Sequence, residues 1–215
     1  AFCETGDNII TTDKTFAVYE WVAEFSGYEA RLVPLAADYG DDEEAMLAAV
    51  DARTKIIFIC NPNNPTGYLY SEEELQRLRD IVLSHDLYLF ADEVYREFRY
   101  TDAPYLSALC LEGLEQNVVV IDSVSKRYSE CGTRIGMIVS HNKEAMAAIL
   151  KFCQARLSPP LLGQIVAEAS IEGTEEYSKE CFERFPIQRA LWYSIRRISK
   201  CHPFCDGGHD PVPEK

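Results

Sequence analysis

No uncharged apolar run in these 215 residues approaches the ~18 that a helical membrane span requires. No basic start followed by a short apolar stretch marks a secretory leader, no segment repeats, and none is of low complexity. Basic side chains are in the minority, 21 against 35 acidic, and a net charge of −14 argues against a nucleic-acid partner. Small anionic substrates stay open, since a local basic pocket can sit in an acidic protein. Hydrophobic residues at 47% and charged residues at 26% are ordinary for globular chains, so disorder is not the default. Cysteine, by contrast, is plentiful: eight occur, at 3, 60, 110, 131, 153, 181, 201 and 205. Cys60 closes an apolar run and reads as a small buried hydrophobe. The expectation is a reduced, cytoplasmic protein with no membrane partner.

The length allows a substantial core, in one large domain or in one domain and part of another. Apolar patterning then alternates between strand and helix. Residues 1–7 read as the end of a helix running into a Gly turn. Residues 15–26 place Phe16, Tyr19, Val22, Ala23 and Phe25 roughly on one helical face, and Gly27 ends it. A short strand is expected over 30–35, then a helix capped by Asp41 or Asp42 and reaching Val50. Residues 55–60 are β-branched and apolar on both faces, the clearest strand. They run into Asn61-Pro-Asn-Asn-Pro-Thr-Gly67, a turn that no element interior accepts. Ser71 and Glu74 form a capping box for a helix to about His85, and 87–91 is the next strand. Strand, helix, strand is a βαβ unit. Further strands are expected at 118–121 and 134–140, and helices at 142–157, from Pro160 to Glu172, and, interrupted by Pro186, over 174–200. Residues 201–215 read as loop or tail. The fold class is α/β, a three-layer sandwich with a mostly parallel sheet.

Chemistry concentrates where the strands end. After 118–121 comes Ser123-Val-Ser-Lys-Arg-Tyr-Ser-Glu-Cys-Gly-Thr-Arg-Ile-Gly136, which sets Lys126 just past a strand, where open α/β sheets place ligands. The hydroxyls of Ser123 and Ser125 and the Arg134 guanidinium are groups that hold a phosphate. A nucleophilic lysine points to a Schiff base, and beside an anion site it points to pyridoxal phosphate. A solvated loop lysine is the other reading, and this stretch alone does not decide between them. Two earlier strand ends add Asn64, and Asp92 with Tyr95. Three apolar strands delivering polar residues to one sheet edge is a more specific signal than any one of them.

These three motifs, in this order, resemble the class I/II (fold-type I) pyridoxal-phosphate-dependent aminotransferases over residues 6–180. Within that family, Tyr95-Arg-Glu-Phe98 and the 123–136 stretch look most like a bacterial aspartate aminotransferase. Asp13-Lys-Thr-Phe-Ala-Val-Tyr19 looks more like a histidinol-phosphate aminotransferase. The resemblance implies amino-group transfer from an aspartate-like amino acid to a 2-oxo acid through a Lys126 Schiff base. Histidinol-phosphate or aromatic substrates, or a non-catalytic cofactor-binding domain, are the alternatives. It also implies that Asp92 pairs with the ring nitrogen and that Tyr95 and Asn64 hold the ring oxygen. Ser123, Ser125 and Arg134 would hold the phosphate, and Phe16 would stack on the ring unless it is simply core. A homodimer is implied as well. The family brings an N-terminal phosphate-cradling turn and a C-terminal domain with a carboxylate-binding arginine, and neither is recognisable here. The expected domains are 1–172, the cofactor-binding large domain without its N-terminal part, and 173–215. The latter is the start of a small domain that is largely missing, or a divergent helix plus tail. Surface meant for the absent parts would be exposed.

Two features of the last forty residues fall outside the resemblance. Cys201, His202, Cys205 and His209 offer soft ligands without a zinc-knuckle spacing, so no metal is expected. Residues 184–200 carry five basic side chains among Phe185, Leu191, Trp192 and Ile195. A surface helix with snorkelling arginines accounts for that pattern.

Overall fold

The computed structural model describes residues 2–37, 40, 42–99, 101–172 and 177. The chain divides into two units between Thr174 and Glu175, and all described residues but Tyr177 belong to the first. Six strands form one sheet: β1 (Asn8–Thr12), β2 (Glu29–Val33), β3 (Thr54–Cys60), β4 (Tyr88–Asp92), β5 (Val118–Ser123) and β6 (Gly136–Val139). Their order is β2-β1-β3-β4-β5-β6. Every pairing is parallel except that of β5 with the edge strand β6. Parallel neighbours need crossovers, and α1 (Val18–Phe25), α2 (Glu43–Ala49) and α3 (Glu72–His85) supply three of them.

Both faces of the central strands are buried, which is why they read as unbroken apolar runs. On one face Ile57, Ile59, Leu89, Ala91, Val118 and Val120 pack with Met46 of α2 and with Leu75, Leu78, Ile81 and Val82 of α3. On the other, Ile9, Ile56, Phe58 and Phe90 pack with Ala23 of α1. The α3 start follows its sequence closely. Ser71 accepts from the Glu74 amide and Glu74 reaches back to the Ser71 amide at 2.7 Å. Asp42 caps α2, accepting from Ala45 at 3.0 Å.

The expected three-layer α/β architecture is present, with four local differences. Residues 2–7 form no helix; Gly6 turns at φ 90° straight into β1. That strand escaped the sequence reading because only two of its five residues are aliphatic, although all five are buried. The first helix is shorter than expected: Phe16 precedes it, and only Tyr19 and Ala23 of it are buried. A short helix, α4 (Val124–Arg127), begins directly at the end of β5. Helices α5 (Lys143–Arg156) and α6 (Leu161–Glu172) lie close to their expected bounds, α5 being capped by Asn142.

Large apolar side chains are exposed on β6 (Met137, Ile138, Val139) and on α6 (Leu161, Leu162, Ile165). The expected helix over 174–200 and the 201–215 tail with its Cys and His residues lie outside the described residues. Among the described residues no helix is long and apolar enough to cross a membrane.

Leu75 and Leu78 interlock α3 with the sheet and have almost no solvent contact. Truncating either to alanine removes buried surface and leaves a cavity, an expected loss of about 2–5 kcal/mol in urea unfolding. Leu83→Ala, on the exposed side of the same helix, is expected to stay within about 0.5 kcal/mol of wild type.

Candidate active site

The three strand ends meet at one level. Cys60 of β3 is in register with Asp92 of β4, and Asp92 with Ile121 of β5. Since side chains alternate across a strand, Asp92 faces the α1 side together with Phe58 and Phe90, while Glu93 faces the α3 side. Asp92 is 8% exposed. Its Oδ1 accepts the Val94 amide at 3.1 Å, and its Oδ2 accepts the Tyr19 hydroxyl at 2.6 Å. Burial pushes the Asp92 carboxyl above its ordinary value, and the two hydrogen bonds pull the other way.

Tyr19, expected only on a helical face, is the side-chain partner of Asp92. Its ring stacks on Phe58 at 4.0 Å and meets Phe16 edge-on at 5.8 Å. Burial first, then Cys60 and Asp92, drive its phenol well above the usual range. A tyrosine on an apolar helical face carries a hydroxyl that needs a partner, and that was the available signal. Phe16 lies 44% exposed in the turn before α1, so it is not a core side chain.

The Asn-Pro turn is braced from several sides. Asn61 accepts the Tyr70 amide at 3.2 Å, while Asn63 donates to the Lys14 carbonyl at 2.9 Å and to the Thr66 hydroxyl at 2.8 Å. Both the Asn61–Pro62 and Asn64–Pro65 peptide bonds are cis. The Asn64 backbone N–H bonds the Cys60 sulfur, and its half-buried side-chain amide makes no hydrogen bond among the described residues. Neither does the Tyr95 hydroxyl. Lys126, on α4, holds its amine 5.5 Å from the centre of the Tyr95 ring, with no hydrogen bond or ion pair among the described residues.

Ser123 caps α4, its Oγ accepting the Ser125 amide at 3.1 Å. Arg134 adopts φ 60°, a left-handed conformation that costs about 1 kcal/mol or more outside glycine. Its Nη1 donates to the Cys131 carbonyl at 3.0 Å, and the residue is exposed. Gly163 of α6 lies under this loop: a Cβ there would meet the Thr133 carbonyl oxygen at 2.5 Å. The strand edge thus brings together Asp92, Tyr95, Lys126, Ser123 and Ser125, with the Asn64 turn at the end of the adjoining β3.

Fold and site together define an α/β protein with an uncommitted lysine and a buried carboxylate at the carboxyl edge of a parallel sheet. The family model described as aminotransferase class I and II matches residues 1–191. The chain belongs to that family. An aromatic amino acid aminotransferase of Rhodococcus jostii (strain RHA1) is 36% identical over 181 residues, covering 82% of this chain and 48% of that protein. A histidinol-phosphate aminotransferase of Bacillus velezensis (strain DSM 23117 / BGSC 10A6 / LMG 26770 / FZB42) is 34% identical, covering 91% and 54%. The chain therefore spans about half the length of the curated relatives it matches. The solved N-succinyldiaminopimelate aminotransferase from Mycobacterium tuberculosis superposes with a TM-score of 0.85 at 22% identity, over 90% of this chain and 51% of that one. A second family model, described as putative membrane protein insertion efficiency factor, matches residues 174–213.

The site's chemistry makes two measurements decisive. Because the native Asp92 keeps its proton to higher pH than the unfolded chain does, its contribution to stability falls as pH rises between the two pKa values. Tyr19→Phe removes a bond that opposes this shift, so the Asp92 midpoint in a carboxyl 13C titration is expected to rise; an unchanged or lower midpoint would contradict the assignment. Burial, with Asp92 nearby, pushes the Cys60 thiol up to about 12, whereas Cys110, Cys131 and Cys153 are exposed. Iodoacetamide near neutral pH is expected to modify those three and to spare Cys60 until the protein unfolds.

Proposed function

We propose that this chain provides the cofactor site of a pyridoxal-phosphate-dependent aminotransferase, moving an amino group from an amino acid to a 2-oxo acid. The observation that carries the reading is the Lys126 amine, uncommitted beside Tyr95 at the same sheet edge as the buried Asp92 carboxylate. The donor set suits the cofactor: an amine for its carbonyl, a carboxylate for its ring nitrogen, and hydroxyls and a guanidinium for its phosphate. Pyridoxal phosphate, when bound, supplies a conjugated ring that accepts the electron pair released at the substrate α-carbon. Lys126 would hold the cofactor covalently and then carry the proton at that carbon. Asp92, kept in place by Tyr19 and the Val94 amide, would accept a hydrogen bond from the ring N–H and balance its charge. Tyr95 and Asn64 would donate to the ring oxygen, Arg134, Ser123 and Ser125 would bind the phosphate, and Phe16 would cover the ring face.

Identities of 36% to an aromatic, 34% to a histidinol-phosphate and 32% to an aspartate aminotransferase support several amino donors about equally. Aspartate is the donor favoured by the 123–136 wording. A cofactor-binding chain without turnover is the second reading, told apart from the first by whether any amino acid is converted. The domain division we propose is 1–172 for the cofactor domain and 173–215 for a separate C-terminal part; a second family match beginning at 174 supports it. A cytoplasmic homodimer completes the proposal, and the free thiols of Cys3, Cys60, Cys110, Cys131 and Cys153 support a reducing compartment.

Incubation with pyridoxal phosphate and borohydride reduction is expected to leave a pyridoxyl adduct on the Lys126 peptide. Lys126→Ala should abolish it, and Lys126→Arg should not restore it, because a guanidinium cannot replace the amine. Asp92→Asn should keep the adduct while slowing conversion of any amino acid. An adduct at another lysine would overturn the site; an adduct at Lys126 without conversion of any amino acid would favour the second reading.

A further inference from the structure

Behind the site, on the opposite side of the sheet from Asp92, lies a buried carboxylate paired with arginines. Asp122 precedes Ser123 on β5 and is 3% exposed. Its Oδ1 accepts the Ser123 amide at 2.7 Å. Its Oδ2 accepts Arg127 Nη2 at 2.7 Å and lies 3.0 Å from Arg96 Nη2. Both guanidiniums also approach Glu97 Oε1, each at 3.6 Å. Two arginines thus face two carboxylates, and the group is balanced in charge. Leaving Asp122 without its partners would be costly, because a lone buried carboxylate has lost its water.

The partners' places in the chain give this cluster its meaning. Arg96 follows Tyr95 directly, and Arg127 follows Lys126 directly. One carboxylate therefore ties together the two segments that bring the lysine amine and the tyrosine ring to 5.5 Å. Helix α4 has only four residues and cannot hold its own orientation by helical hydrogen bonding. The Lys126 amine itself has no hydrogen bond among the described residues that would fix it. The adjoining Arg127–Asp122 bond is the strong directional anchor within this turn, since a charge-assisted guanidinium–carboxylate contact is both short and geometrically selective.

We propose that Asp122 is a positioning residue for Lys126, acting through Arg127 and Arg96 to hold the lysine amine against the Tyr95 ring. This rests on the reading of Lys126 as the cofactor-binding amine, but its physical content, the placement of that amine, is measurable without any cofactor.

The test uses the full chain labelled with [13C]lysine. In wild type the Lys126 ε-methylene signal, identified by its loss in Lys126→Arg, should stand apart from those of exposed lysines because of the Tyr95 ring. In Asp122→Asn it should move to the exposed-lysine position. Trapping of pyridoxal phosphate at Lys126, measured against Lys14, should slow by about tenfold, short of the ~100-fold that a 1 Å misplacement can cost. Arg127→Gln, which leaves Asp122 paired with Arg96, should displace the same signal, and the double variant should add no further displacement. It also serves where Asp122→Asn does not fold. An Asp122→Asn protein of lower melting temperature with both readouts unchanged would overturn the proposal, as would an unmoved signal in Arg127→Gln. If Asp122→Asn moves the signal but wild type takes no adduct at Lys126, the placement stands and the aminotransferase reading falls.

Discussion

The site depends on one constraint, the in-register parallel pairing of β3, β4 and β5. Cys60, Asp92 and Ile121 stand side by side because those strands are bonded in that register and buried on both faces. A slip of one residue along β4 would turn Asp92 toward α3 and put Glu93 beneath Tyr19. Both positions are specialised for the side they face. Asp92 meets a phenol, whereas Glu93 Oε1 accepts the Ser107 hydroxyl at 2.9 Å and the Ala108 amide at 2.8 Å. The apolar packing of α3 against one face and of α1 against the other holds the register, and the polar chemistry relies on it.

Three carboxylates are buried within a short distance at the ends of two neighbouring strands, two of them held by neutral donors and one by cations. Asp92 has hydroxyl and amide donors but no cation, so burial dominates and its pKa is raised. Glu93 is held by a hydroxyl and an amide. Asp122 has two guanidiniums, yet burial still acts as the largest influence on it, raising its pKa against Arg96. Taking such groups out of water is expensive unless hydrogen bonds or charges replace the lost hydration. At Asp92 the neutral donors leave the carboxylate without a counter-charge. At Asp122 the paired charge suits a fixed structural joint.

The two ends of the chain differ in character. Residues 1–191 match the aminotransferase family, and 174–213 match a second family, so the matches overlap over 174–191. The basic, aromatic run over 184–200 lies within that second match. The apolar side chains exposed on β6 and α6 belong to the first part. β6 is an edge strand whose four residues are all exposed, a surface that lacks the cover given to every central strand.

Local physics was legible in the amino-acid sequence. The Ser71–Glu74 capping box, the Asp42 cap, the β-branched run ending at Cys60 and the Asn-Pro turn each depend on neighbouring residues, and each stands where their pattern put it. The three strand-end motifs were legible for the same reason, as apolar runs followed by polar groups. β1 was not, because Asn8, Thr11 and Thr12 become strand residues only when neighbouring strands bury them on both sides. Tyr19 and Phe16 looked interchangeable on a helical face; only the packing of α1 on Phe58 buries one against Asp92 and leaves the other open. Arg96, Asp122 and Arg127 carry no sequence signal as a group, since 31 residues separate the first from the last. Their joint depends on β4 and β5 lying side by side, a long-range pairing that no local pattern encodes and that only the folded sheet decides.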